Sequence, residues 1–285
     1  MFRTEKLTDM ENRIKTQKTV NKSFVLEGTG IHTGQKCRME IHPAPVGTGI
    51  VFLKNGVEIK AGVENVVSCT RCTTIGKDGV VVNTIEHLLS ACHAFGIDNL
   101  KVEASGDEMP IYDGSALPFA KALQDAGISC QGIEKQIAEI RESFFVKDGD
   151  SMVLGMPADN FSAACTTDYN HPFAGVQSAF FGDNPDDYIK NVAPARTFGF
   201  YEEVKALIER SLALGGSLDN ALIIKQDGYM NPPRFPDEIV RHKLLDLIGD
   251  LALANACIKG HVYAVKPSHK LNVKFVETML SKCSL

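Results

Sequence analysis

The chain has 285 residues, room for one large domain or two ordinary ones, and is 44% hydrophobic and 23% charged. These are globular proportions and exclude a disordered, collagen-like or coiled-coil chain. Thirty basic against 35 acidic residues leave a formal net charge of −5, so no general basic surface recruits nucleic acid or an anionic membrane.

Residues 1–17 are polar, charged and without periodic apolar pattern, and read as an N-terminal leader. Met1–Asn21 lacks the apolar core of a signal peptide, and no apolar run approaches the ~18 residues that span a bilayer. A cytoplasmic protein without stable membrane insertion is expected. Strands are predicted over Lys18–Leu26, Lys36–His42 and Gly49–Phe52, punctuated by Gly and Pro. Ile85–Phe95 has helical spacing, with Asn83 or Thr84 as its cap and Gly96 as its left-handed terminus. Leu100–Ala104 returns to strand. Asp113-Gly114-Ser115 opens a helix over Ala116–Ala126, closed by Gly127.

Gly127–Gln136 shows no periodicity and is read as a boundary between an N-terminal domain (18–133) and a C-terminal domain (134–285). Strands follow near Ala138–Phe145, Ser151–Met156 and Phe161–Thr167, then a helix over Glu202–Leu214 and a strand at Ala221–Ile224. A long helix is predicted from about Pro236 to Ile258, then a strand at His261–Val265 and a closing helix at Leu271–Leu280. Strands and helices mix without strict alternation, which predicts an α+β fold of helices on sheets. Eight scattered cysteines without a secretion signal read as reduced thiols.

The long helix carries the most chemistry. With Val240 at zero and 100° per residue, Leu244, Leu247 and Leu251 form a core stripe. His242, Asp246 and Asp250 fall at about 200°, 240° and 280°, with Lys243 at about 300°. A polar helix face is ordinarily a solvated one. His242 and Asp246, however, stand at i and i+4, where two side chains can bind one metal. A catalytic zinc site takes three protein ligands and leaves one position open, and His87 is the best third candidate. Glu86 precedes it in the first helical turn, where the dipole favours an ionised carboxylate. A histidine ligand beside a general base suits metal-assisted hydrolysis.

The other motifs carry less. His93 reads as a packed residue, and His42 and His261 carry no signal. His269, after Lys266-Pro267-Ser268, reads as a surface residue on its own context. The Gly28-Thr29-Gly30-Ile31-His32-Thr33-Gly34 stretch lacks the spacing of a dinucleotide fingerprint. Cys69-Thr70-Arg71-Cys72 has no second pair to complete a structural zinc site.

Taken in order, these motifs resemble one family. They are Glu27 to Gly34, Thr84-Ile85-Glu86-His87-Leu88, Ile111-Tyr112-Asp113-Gly114-Ser115, Arg196-Thr197-Phe198-Gly199-Phe200, Gly215-Gly216-Ser217-Leu218-Asp219 and Val240 to Asp246. From about Lys18 onward the chain is similar to the zinc-dependent UDP-3-O-acyl-N-acetylglucosamine deacetylases of lipid A biosynthesis. The resemblance implies two α+β domains with the active site between them. It implies one zinc per chain on His87, His242 and Asp246, although ferrous iron also suits two imidazoles and a carboxylate.

By the same resemblance Glu86 is the general base and His269 the general acid, oriented by Asp250. Thr197 donates to the oxyanion. Lys243 and Lys266 meet charged groups of an acylated nucleotide-sugar substrate, with Tyr169, Phe198 and His32 also in substrate binding. Residues 199–229 resemble an inserted acyl passage, with Val204, Leu207, Ile208 and Ala221–Ile224 as its apolar residues. A monomer is expected. Ser268 departs from the glycine that usually precedes the last histidine.

Overall fold

The computed structural model describes residues 16–283. The leader therefore lies outside the described residues, except that Thr16 and Gln17 already belong to a strand, Thr16–Val20. Two five-stranded sheets carry the architecture. The first runs in the order Phe24–Thr29, Lys36–Pro43, Leu100–Ala104, Ile50–Lys54, Val57–Lys60. Alternation decides its faces: Cys37, Met39 and Ile41 point inward and are buried, whereas Arg38, Glu40 and His42 point outward. The second runs Phe144–Asp148, Ser151–Met156, His261–Val265, Ser162–Tyr169, Gly175–Phe181. Its inner face presents Val153, Ala163, Cys165, Val262 and Ala264.

The principal helices are α1 (Glu86–Phe95), α2 (Leu117–Ala126), α3 (Tyr201–Glu209), α4 (Glu238–Leu251) and α5 (His269–Lys282). Helix α4 packs on Ser162–Tyr169 and Gly175–Phe181, α5 packs on Phe144–Asp148 and Ser151–Met156, and α1 lies directly against α4. One continuous buried cluster joins the inner faces of both sheets through Leu88, Leu89, Leu244, Leu247 and Phe275. The fold is α+β, as the mixed pattern predicts.

Several elements differ from the sequence reading. The expected strand Lys18–Leu26 is two strands, because Asn21 turns the chain and its amide donates to Gly127 O. Gly127–Gln136 is not structureless: Ile128–Glu134 pairs antiparallel with Thr16–Val20. The long helix stops at Leu251 rather than Ile258. Asn255 turns left-handed at φ 50° and donates to Ala61 O, and Cys257–Lys259 then pairs parallel with Ile137–Glu139. Helix α3 ends at Glu209, five residues early, where positive φ at Ser211 and Ala213 breaks the helical path. Neither Asn83 nor Thr84 caps α1. Ile85 holds that position without a side-chain cap, Thr84 has φ 61°, and the Asn83 side chain bonds Thr74 and Asp107 instead. All eight cysteines are free thiols.

Candidate active site

The site forms where the N-terminus of α1 meets the middle of α4 and the N-terminus of α5. Gly249 on α4 makes the first approach possible, since a Cβ there would come within 2.2 Å of Glu86 O. His87, His242 and Asp246 are 3–4% exposed, and one ligand atom from each lies within 4.8 Å of the others. The two imidazole rings stand 5.3 Å apart. The polar face of α4 is therefore buried, and the solvated reading of it fails. Asp250 on that face is fully buried too.

The donor set suits a divalent metal. Burial lowers the pKa of both imidazoles, against the opposing pull of Asp246, and takes His242 down to about 4. Both are thus neutral at physiological pH, as metal ligands must be. Burial acts to raise Asp246, but His242, Lys243, His269 and His87 outweigh it and hold the carboxyl well below its ordinary range. His242 Nδ1 lies 3.1 Å from Ala195 O, which leaves Nε2, 3.4 Å from Asp246 Oδ1, free for an ion. Two neutral imidazoles and one carboxylate match a three-ligand zinc site.

Glu86 and His269 flank this cluster. His269 Nε2 is 4.0 Å from Glu86 Oε1 and 3.9 Å from Asp246 Oδ2, while Nδ1 donates to Asp250 Oδ2 at 2.9 Å. Burial alone would lower the pKa of His269. Asp250, Asp246 and Glu86 together outweigh it and raise it to about 9. His269 is thus a buried imidazolium and not a surface residue. Its neighbour Ser268 causes no distortion. At φ −136° the position needs no glycine, and the Ser268 hydroxyl caps α5 by accepting from Leu271 N.

Glu86 departs from the expectation that the helix dipole keeps it ionised. Burial raises it to about 8, opposed chiefly by His269. A dication on the neighbouring ligands would act in the lowering sense.

The remaining predicted residues surround the cluster at different distances. Lys243 is half-buried beside it and donates to Asp246 Oδ2 at 2.7 Å. Thr197 follows the segment that orients His242, and its amide donates to Gly114 O at 2.7 Å. A buried pair fixes that segment: Glu238 accepts from both the amide and Nε of Arg196 at 2.9 Å. The Phe198 ring stands 6.2 Å from the His242 ring, and Tyr169 packs on Phe198 and Phe200.

Lys266 lies further out, paired with Asp168 at 2.9 Å. His32 sits on a separate loop. The amide of His32 and the amide and hydroxyl of Thr33 donate to the buried Glu108, and the His32 carbonyl accepts from Leu214 N. Within residues 199–229, Leu222 and Ile224 join a small buried cluster with Ala174 and Ile239, whereas Ile208 and Leu214 are more than half exposed.

Sequence reasoning missed Thr73 and Asn272. Asn272 donates to Asp250 Oδ2 at 2.9 Å, and Thr73 bonds both Glu86 and Asp250. Asn272 was findable, being at i+3 from His269 and so on the same helix face. No local pattern marks Thr73.

The family model for UDP-3-O-acyl N-acetylglycosamine deacetylase matches residues 17–281. The chain is 44% identical over 273 residues to the UDP-3-O-acyl-N-acetylglucosamine deacetylase of Myxococcus xanthus, covering 93% of this chain and 86% of that protein. It is 42% identical over 271 residues to the enzyme of that name from Syntrophotalea carbinolica, covering 93% and 88%. With the Geotalea uraniireducens enzyme of that name it shares 40% over 272 residues, covering 93% and 89%. The match extends over both sheets and all three helices that build the site, and the chain belongs to the UDP-3-O-acyl N-acetylglycosamine deacetylase family.

Proposed function

We propose that the chain hydrolyses the acetamide of UDP-3-O-acyl-N-acetylglucosamine, giving acetate and the free amine, in lipid A biosynthesis, with one zinc ion held by His87, His242 and Asp246. The observation that carries this reading is the buried His87–His242–Asp246 cluster with Glu86 and His269 beside it. When bound, zinc supplies a Lewis acid that polarises the amide carbonyl and makes water more acidic.

The chain's own residues do the rest. Glu86 takes the proton of the attacking water as the new C–O bond forms. The Thr197 hydroxyl donates to the carbonyl oxygen as negative charge develops there. His269, held cationic by Asp250, gives its proton to the amine nitrogen as the C–N bond breaks. Lys243, compensated by Asp246, and Lys266 offer positive charge to the diphosphate. His32, Tyr169 and Phe198 contribute to substrate binding.

Residues 199–229 supply the apolar surface for the acyl chain, which the exposed Ile208 and Leu214 suit. We read residues 18–133 and 134–285 as the two α+β domains. Among the described residues no helix is long and apolar enough to cross a membrane, and a cytoplasmic monomer fits this reading.

The test is acetate release from UDP-3-O-acyl-N-acetylglucosamine by the metal-loaded protein, set beside the same sugar nucleotide without its O-acyl chain. Hydrolysis of the acylated substrate with marked preference over the other is expected. Equal turnover of both would remove the acyl passage, and turnover of neither would remove the activity.

A further inference from the structure

Thr73 is completely buried and bonds three separate parts of the site. It precedes the strand Thr74–Lys77, far in sequence from α4 and α5. Its amide donates to Glu86 Oε2 at 3.1 Å, and its carbonyl accepts from Ile85 N at 3.4 Å, so its backbone grips the start of α1 twice. Its hydroxyl donates to Asp250 Oδ1 at 2.5 Å and lies 3.2 Å from His269 Nδ1.

The proton count decides what those contacts do. A threonine hydroxyl has one hydrogen, and a carboxylate oxygen can only accept it. The Thr73 hydrogen therefore goes to Asp250, and its oxygen can only accept from His269. Nδ1 must then carry a proton, shared between Asp250 Oδ2 at 2.9 Å and Thr73 Oγ1. This turns Nε2 toward Glu86 and Asp246. Asn272 fills the remaining approach to Asp250 Oδ2. Asp250 is thereby pinned through both oxygens, and the proton acceptor Glu86 and the proton donor His269 are registered by one residue.

We propose that Thr73 is a positioning residue of the reaction, its amide fixing the Glu86 carboxylate and its hydroxyl locking Asp250 so that His269 presents Nε2 to the leaving nitrogen. The inference rests on the deacetylase reading above. The hydrogen bonds of Thr73 go to Glu86, Asp250, His269 and Ile85 rather than to a metal ligand or a group assigned to substrate binding, so its loss should be felt in turnover alone.

The test compares T73V, which keeps the shape and the amide but lacks the hydroxyl, with T73S, which keeps both polar groups, in the metal-loaded enzyme. T73V should lose about 10- to 100-fold in kcat with KM and metal content unchanged, because one hydrogen bond to a charged group is removed from the aligned state. T73S should recover kcat to within about threefold. Undiminished kcat in T73V, a loss confined to KM, or a T73S as slow as T73V would overturn the proposal. Should T73V fail to fold, T73A carries the same comparison.

If wild-type protein proves inactive on the sugar nucleotide, the functional reading fails, and Thr73 is judged by NMR of the His269 ring. Its Nδ1 proton should exchange more slowly with water in wild type and T73S than in T73V. The same exchange rate in all three would overturn the placement of His269 by Thr73.

Discussion

Gly249 and Glu86 meet so closely that α4 admits no side chain at that point. A Cβ on residue 249 would lie 2.2 Å from the Glu86 carbonyl oxygen and 2.9 Å from its carbon. The contact is with backbone, which cannot swing aside, so Gly249→Ala must push α1 away from α4. A loss of about 1–3 kcal/mol is expected from such overpacking, together with a fall in turnover as Glu86 and His87 are displaced from His242. Denaturant unfolding and acetate release measured on the same preparation check both. An alanine variant of wild-type stability and activity would show that the helices do not depend on this approach.

Glu86 is expected to act on water and not to hold the metal. Glu86→Ala should retain its zinc and lose about 10²–10⁴ in kcat, the ordinary cost of removing a general base. Elemental analysis beside steady-state kinetics separates the two effects. Near-normal turnover in that variant would take Glu86 out of the mechanism.

The pH profile follows from His269. Its pKa is raised from 6.5 to about 9, so the acid form is present below that value and is lost as pH rises through it. The basic limb of kcat/KM should therefore fall above pH 6.5 and no higher than about 9, since a dication on the neighbouring ligands acts in the lowering sense. Asp250→Asn removes the strongest of the groups that raise it, and the limb should move to lower pH. His269→Ala should abolish or displace the limb with metal content unchanged. The acidic limb is expected from Glu86, below the value of about 8 that burial, opposed chiefly by His269, gives it without the metal. A basic limb unaltered in both variants would leave Glu86 to carry the proton by itself.

His93 governs stability at a distance from the chemistry. Its ring packs edge-on against Phe161 at 4.7 Å, and burial, helped by Lys135, lowers its pKa from 6.5 to about 4. The unfolded chain takes up the proton first. The neutral ring therefore contributes stability above pH 6.5 that is lost progressively as pH falls to about 4. Over that interval the loss is on the order of 3 kcal/mol. Unfolding of His93→Leu should be correspondingly less sensitive to acid, whatever its stability at neutral pH. Equal acid sensitivity in both proteins would show that His93 is not held neutral.

How much of the site was legible depended on how local its logic is. His242 and Asp246 could be paired from one helix because i and i+4 share a face, and Glu86-His87 from one helical start. Their burial could not be read, because the same polar stripe on α4 is equally consistent with solvent until α1 and α5 are known to cover it. His269 looked like a surface histidine in its own context; what makes it a buried cation is Asp250, nineteen residues away in sequence.

Thr73 was hidden more completely. It stands beside a CxxC pair that lacks the second pair of a structural zinc site, and its partners Asp250 and His269 are 177 and 196 residues away. The strands Ser151–Met156, Leu100–Ala104 and His261–Val265 have the bounds expected from the sequence. The tail of α4 was overextended because Asn255 ends it through contacts with Ala61, which no helical pattern contains.

Metal dependence tests the central claim most directly. The protein stripped of metal, then reloaded with zinc, should bind about one equivalent per chain and recover acetate release from UDP-3-O-acyl-N-acetylglucosamine in proportion to the zinc bound. His242→Ala, left with His87 and Asp246 alone, should neither hold the ion nor release acetate. Full activity in the stripped protein, or a full equivalent of tightly bound zinc in His242→Ala, would contradict a catalytic metal centre built from His87, His242 and Asp246.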